Sequence, residues 1–198
     1  MASATRQLER HDLGKLTLRP GRCVHEHATM ATCRACLDAC PTGAWLLDDD
    51  QLALDTALCD GCGLCAGVCP TGALAGTTLG SHAANRPSAE PVLDLACEPA
   101  VPAGQATLSC LHATSPRELA DLQRRGIRRL EVCAAPCDDD ATACARYGRS
   151  PTLEAMLAAV NVLLAEVGEP PLRLVRRPPA EWARVTARRR AGQTLPNA

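Results

Sequence analysis

A cysteine-bearing segment that occurs twice constrains this chain more than any other feature. Residues 33–45 read CRACLDACPTGAW and residues 62–74 read CGLCAGVCPTGAL; at an offset of 29 they share three cysteines followed by Pro-Thr-Gly-Ala. Thirteen cysteines in 198 residues mean either a disulfide scaffold or bound metal. The chain opens MASATRQLERHDLGKL, without the apolar run of a signal peptide, and no later stretch approaches the length of a membrane span. The expectation is a cytoplasmic protein whose thiols stay reduced and bind metal. The odd cysteine count agrees, since pairing them all would leave one thiol over.

The second repeat is the more complete: Cys59-x2-Cys62-x2-Cys65-x3-Cys69-Pro70. Three cysteines in one tight loop can reach three irons of a cubane while backbone amides point at its sulfides, and the fourth iron takes a thiolate from elsewhere. A proline after the last cysteine bends the chain away and removes a donor that would need a partner. The run resembles that of bacterial-type two-cluster ferredoxins, in which the fourth cysteine ligates the other cluster. The resemblance covers about residues 20–75 and implies two [4Fe-4S] clusters. In the first repeat Cys33-x2-Cys36-x3-Cys40-Pro41 is intact, but Met30 stands where a cysteine is expected, and the nearest upstream thiol is Cys23. Carried over by motif position, Cys23, Cys33, Cys36 and Cys69 would hold cluster one, and Cys40, Cys59, Cys62 and Cys65 cluster two. If Cys23 is not a ligand, a [3Fe-4S] centre or an imidazole from His25 or His27 takes its place.

Four segments follow from composition and patterning. Residues 1–80 form the two-cluster domain, with a hairpin between the repeats: Trp45-Leu46-Leu47, the acidic turn Asp48-Asp49-Asp50, then Leu52-Ala53-Leu54. Residues 81–91 are a small, polar linker punctuated by Pro87 and Pro91. Residues 92–177 alternate strand and helix. Runs over 91–97 and 106–111 read as buried strands, Ser115-Pro116-Arg117-Glu118 as a capped helix start, Gly126 as its end and Ile127–Val132 as the next strand. Ser150-Pro151 opens a second helix whose apolar face is Leu153, Met156, Leu157, Val160, Leu163, Leu164 and Val167, and Leu172–Val175 is a last strand. Residues 178–198 are a basic tail. The fold class is thus an α+β ferredoxin-type domain followed by a small α/β domain with a parallel sheet.

Five further cysteines fall in the second half: Cys97, Cys110, Cys133, Cys137 and Cys144. If Cys97, Cys110 and Cys133 each end a parallel strand, they share the carboxyl edge where open α/β sheets place their ligands. A third site, iron–sulfur or zinc, is one reading; inert buried thiols and a redox-active dithiol are the others. The layout is distantly similar to the small iron–sulfur subunits of hydrogenases and heterodisulfide reductases.

The first 80 residues carry six basic and nine acidic side chains, whereas seven Arg and one Glu lie from Pro170 onward. An acidic cluster domain favours fast encounter with a basic partner face. The function expected is relay of single electrons to or from a larger oxidoreductase or subunit. By family association this would be a molybdenum or tungsten dehydrogenase, such as formate dehydrogenase, or a hydrogenase. Two alternatives stand beside it: thiol or disulfide chemistry at the second cysteine group, and a zinc-stabilised scaffold or assembly factor. The arginine-rich tail around Trp182 reads as a solvated segment or a docking surface for an acidic subunit; no aromatic platform accompanies it, which argues against nucleic acid.

Overall fold

The offset of 29 residues that relates the repeats also relates their structures. The computed structural model describes residues 16–28, 30–48, 51–76, 91–102, 107–135 and 152–191. Helix α1, Ala35–Ala39, is capped at its end by Cys40; helix α2, Leu64–Val68, is capped by Cys69. Each is stopped by the proline that follows, which cannot continue a helix. The chain then reverses through Gly43 or Gly72, at φ 66° and 65°, a left-handed conformation that glycine adopts without a Cβ penalty. Strand β2, Trp45–Asp48, follows the first turn, and strand β4, Leu74–Gly76, the second.

Strand β2 pairs antiparallel with β3, Gln51–Leu54, which is the hairpin read from the sequence. Strand β1, Leu16–Leu18, pairs antiparallel with β4 and so joins the start of the domain to its end. Leu16, Leu18, Ala44, Trp45, Leu52 and Leu74 form the core, and they pack directly on Cys36, Cys40 and Cys65. Helices of five residues do not persist alone in water, so α1 and α2 depend on this packing.

The second half is a three-stranded parallel sheet in the order β5-β6-β7. Its strands are β5 Val92–Ala96, β6 Arg129–Cys133 and β7 Arg173–Arg176, linked by α3, Pro116–Arg124, and α4, Leu153–Glu166. The start of α3 is the capping box expected from Ser115 and Glu118, with Pro116 in the first turn. Alternation divides the sheet. Leu93, Leu95, Leu130 and Val132 face Leu119 and Leu122 of α3 and Leu153, Met156, Leu157 and Val160 of α4. Asp94, Ala96, Glu131 and Cys133 occupy the intervening positions, and α5, Pro179–Arg190, covers them.

Four expectations are corrected. Residues 107–110 form no strand: Leu108 makes one isolated bridge to Cys97, and the chain turns at Leu111–Ala113 in a 3-10 helix. Helix α4 starts at Leu153 with the Thr152 hydroxyl accepting from the Ala155 amide, whereas Ser150 and Pro151 lie outside the described residues. Leu163 and Val167 are 66% and 72% exposed: Leu163 sits at the margin of the apolar stripe, and Val167 is the C-cap, past the last turn. The basic segment after residue 178 is not a solvated tail through Arg190, because Trp182 and Arg189 are buried against the sheet. The Arg189 guanidinium donates to Asp94 and, at 2.8 Å, to Glu131, whose other oxygen accepts from Arg177. With guanidinium donors on both oxygens, Glu131 is held ionised: burial pushes its carboxyl up, but the bonds from Arg177 and Arg189 outweigh that and bring it down to about 2.

The two halves meet at α2. A Cβ on Gly67 would lie 2.5 Å from the carbonyl oxygen of Ala113, so the absence of a side chain lets α2 lie directly on the turn Leu111–Ala113. Cys62, Leu64 and Cys110, with Ala113, close the same contact. Residues 1–15, 77–90, 136–151 and 192–198 are among those outside the described residues, and most of the expected linker, 81–90, falls there. Among the described residues, no helix is long and apolar enough to cross a membrane.

Candidate iron–sulfur site

Eight cysteines line the inside of the first half, and their mutual repulsion sorts them. Burial pushes the Cys23 thiol up, and the charges of Cys69, Cys33 and Glu26 add to it. Burial pushes Cys36 up to about 12, with Cys65 and Cys33 adding. In the other group burial pushes Cys65 up to about 11, with Cys40 and Cys59 adding, and Cys62 up to about 12, with Asp60 and Cys65 adding. The neighbours of Cys23 are therefore Cys33 and Cys69, while those of Cys65 are Cys40, Cys59 and Cys62. One further pair, Cys36 with Cys65, bridges from α1 to α2. Thiols gathered this way resist becoming thiolates together unless positive charge is set between them, which an iron–sulfur core supplies.

Two of the eight behave differently, and they are the last cysteines of the two repeats. Although burial raises them, Cys40 and Cys69 both end below the ordinary thiol value. For Cys40 the Thr42 hydroxyl and the amides of Thr42, Gly43 and Ala44 outweigh desolvation; for Cys69 the donors are the Leu74 amide, the Thr71 hydroxyl and the amides of Ala73 and Thr71. The distances repeat as well, with Cys40 Sγ 3.5 Å from Thr42 Oγ1 and Cys69 Sγ 3.6 Å from Thr71 Oγ1. The Ala44 amide lies 3.3 Å from Cys40 Sγ. The shared Thr-Gly-Ala thus wraps amide and hydroxyl donors round one sulfur in each repeat. Sequence reasoning noted these residues as repeated but gave them no role.

The loop that departs from the motif is braced by its histidines. His25 Nε2 donates to the Cys33 carbonyl and His27 Nε2 to the Gly21 carbonyl, each at 2.8 Å. His25 Nδ1 is buried without a partner among the described residues. Met30, in the position where a cysteine was expected, is 88% exposed and points away from the thiols. The Cys23 thiol lies near those of Cys69 and Cys33, whose charges add to the effect of burial on it.

The structure describes three of the five cysteines of the second group. Cys97 belongs to the apolar cluster facing α3 and α4, Cys133 to the one beneath α5, and Cys110 packs with Cys62 and Leu64. With no strand at 107–110, Cys110 lies in the turn against α2; burial pushes the Cys133 thiol up, and the charge of nearby Cys97 adds to it. Cys137 and Cys144 lie outside the described residues. Among the described residues, no three His, Cys, Asp or Glu side chains close on one point as a single ion requires.

Comparison with known proteins bears on part of this site. A family model for the 4Fe-4S binding domain matches residues 52–75, the segment that contains Cys59, Cys62, Cys65 and Cys69. No curated protein and no solved structure matches the chain. Residues 52–75 are accordingly a 4Fe-4S binding segment, and the chain is ferredoxin-like in this respect.

Proposed function

We propose that this chain relays single electrons through two [4Fe-4S] clusters, one held by Cys23, Cys33, Cys36 and Cys69 and the other by Cys40, Cys59, Cys62 and Cys65. The observation that carries the reading is that Cys69 neighbours Cys23 and Cys33 while Cys40 neighbours Cys65, so the last cysteine of each repeat lies beside the cysteines of the other. The exchange of Cys40 and Cys69 between the repeats supports it, because each leaves its own helix as the C-cap. When bound, a cubane accepts or gives up one electron with little change of shape. The chain's own part is to hold eight sulfurs as thiolates, to keep water out of the core formed by Leu16, Leu18, Trp45 and Leu74, and to aim hydrogen bonds at Cys40 and Cys69 that stabilise negative charge there. Hydrogen bonds to cluster sulfurs are one determinant of potential. The partner is a larger oxidoreductase or subunit with a basic docking face, in keeping with the acidic balance of residues 1–80.

The test is chemical. Protein prepared without oxygen contains about eight irons and as many acid-labile sulfides per chain if both sets are filled. After reduction its EPR spectrum shows two interacting centres. A fully reconstituted sample holding four irons or fewer defeats the reading.

A further inference from the structure

A groove of about 630 Å³ runs along the outer side of α2, between the cluster domain and the start of α3. It is not the room for a cubane: of the eight cysteines assigned above, only Cys62 and Cys69 line it. Its volume falls in the range of small-molecule sites. Three guanidinium side chains line it, Arg19 and Arg22 from beyond β1 and Arg117 from the first turn of α3. Arg22 Nη1 lies 3.8 Å from where a Cβ on Gly72 would be, on the same wall. None of the three arginines has a carboxylate partner among the described residues. One carboxylate, Glu118, reaches the groove, but its Oε2 is occupied by the amide and hydroxyl of Ser115, each at 2.9 Å. Most of the remaining wall is apolar, with Leu74, Leu108 and Met156 alongside Ala66 and Gly67, and Ser109 and Ser115 also line it.

We propose that this groove binds an amphiphilic organic anion, its carboxylate or phosphate held by Arg19, Arg22 and Arg117 and its apolar body lying over Leu74, Leu108 and Met156. Arg is the side chain suited to planar, bidentate recognition of such acids. An acid group alone would leave the apolar wall wet, and a neutral apolar molecule would make no use of the three exposed guanidiniums at its rim. The site draws residues from both halves, so it exists only where α2 and the turn Leu111–Ala113 are docked. Its wall includes Cys62 and Cys69, one from each proposed ligand set, and a bound molecule therefore lies against both.

The test is calorimetric titration of the anaerobic, iron-loaded full chain with 1-naphthyl phosphate, 2-naphthoate, 1-naphthol and inorganic phosphate. At least one of the aromatic acids binds one per chain, with a Kd about tenfold or more below those of naphthol and inorganic phosphate, as a charge-assisted hydrogen bond implies. Comparing the two acids tells phosphate from carboxylate as the preferred group. Arg19→Gln and Arg117→Gln each weaken binding about tenfold, in line with the loss of one charged contact. Failure of both acids to bind at millimolar concentration overturns the proposal, as does equal affinity for inorganic phosphate or indifference to both substitutions. Iron content measured on the same samples separates failure of the groove from failure of the two-cluster reading: a chain with its full iron that ignores the acids refutes only the groove.

Discussion

Replacing Gly67 by alanine tests whether the second half is anchored on the cluster domain through α2. The backbone at this position is helical, not left-handed, so alanine meets no conformational barrier and should gain about 1 kcal/mol from helix propensity. Against that, the new Cβ would stand 2.5 Å from the Ala113 oxygen and 2.8 Å from its carbonyl carbon. The first distance is about 0.8 Å inside even the close C···O contacts of about 3.3 Å that weak hydrogen bonds allow. The obstruction is backbone, which cannot rotate aside as a side chain would, so α2 and the turn must separate. Overpacking costs about 1–3 kcal/mol; a clash this close with backbone falls in the upper part of that range, about 2–3 kcal/mol, so after the propensity gain a net loss of about 1–2 kcal/mol is expected. For a chain of this length that lowers the apparent unfolding midpoint by about 3–6 °C, at about 3 °C per kcal/mol. The assay is far-UV circular dichroism of iron-loaded protein under anaerobic conditions at one scan rate. Adding Ala113→Gly should not rescue the variant, because the clash is with the carbonyl and not with the Ala113 methyl. A midpoint that stays put or rises, as propensity alone would give, refutes the proposed anchoring.

Three further outcomes follow. Cys23→Ala should lower iron from about eight to about seven per chain, with a three-iron centre in place of one cubane; unchanged iron and EPR would exclude Cys23 and direct attention to His25 Nδ1. Glu131 has its folded value held near 2, below the unfolded value of about 4.3, so its stabilisation is present above pH 4.3 and lost as pH falls toward 2. At about 1.4 kcal/mol per unit this is about 3 kcal/mol, and Glu131→Gln should flatten the acid limb of a stability–pH curve measured by urea denaturation; an unaltered limb would show that the guanidinium contacts do not stabilise the ionised form. Trp182→Ala should cost about 3–5 kcal/mol and speed hydrogen exchange in residues 179–190 and β6 without loss of iron, whereas loss of iron would show that α5 bears on the cluster domain.

The parts of this molecule that were legible in the sequence are those where chemistry fixes spacing. Iron ligation dictates the intervals from Cys59 to Cys69, and the order Ser115-Pro116-Arg117-Glu118 dictates a helix start, so both survived into the structure. Cys23 stood out in the sequence because one thiolate must return from somewhere and no other lay near, and in the fold it neighbours Cys69 and Cys33. The run 106–111 misled because Leu108 and Leu111 are both buried, and a short apolar stretch does not distinguish a strand from a buried turn. Residues 182, 185, 186 and 189 have the spacing of a helix face, yet the like-charge run Arg188-Arg189-Arg190 reads as a solvated segment. Arg189 is buried only because Asp94 and Glu131 meet it, and no local pattern reveals partners 95 and 58 residues away. The groove was invisible for the same reason: Arg19, Arg22 and Arg117 are ordinary surface arginines until the fold puts them on one wall.

The docking of the halves also gives Cys110 a use that does not require a third metal. It is buried beside Cys62 and Leu64, at the start of the turn on which α2 rests. That turn is held from behind: His112 Nδ1 accepts the Leu153 amide at 3.0 Å, at the head of α4, and Thr114 Oγ1 donates to the Leu111 carbonyl at 2.8 Å. A continuous path of contacts therefore runs from the fourteen-residue helix α4, through His112 and Ala113, to the five-residue helix α2 that carries Cys65 and ends at Cys69. Helix α4 is long enough to hold its shape by packing on the sheet, and α2 is too short to do so alone. The second half thus acts as a rigid backing for the ligand helix of the 4Fe-4S segment. The second half offers α1 no matching backing among the described residues; α1 packs on α2 and β2 instead. The two repeats are alike in sequence but supported differently, so loss of the second half should loosen Cys65 and Cys69 before it loosens Cys36 and Cys40.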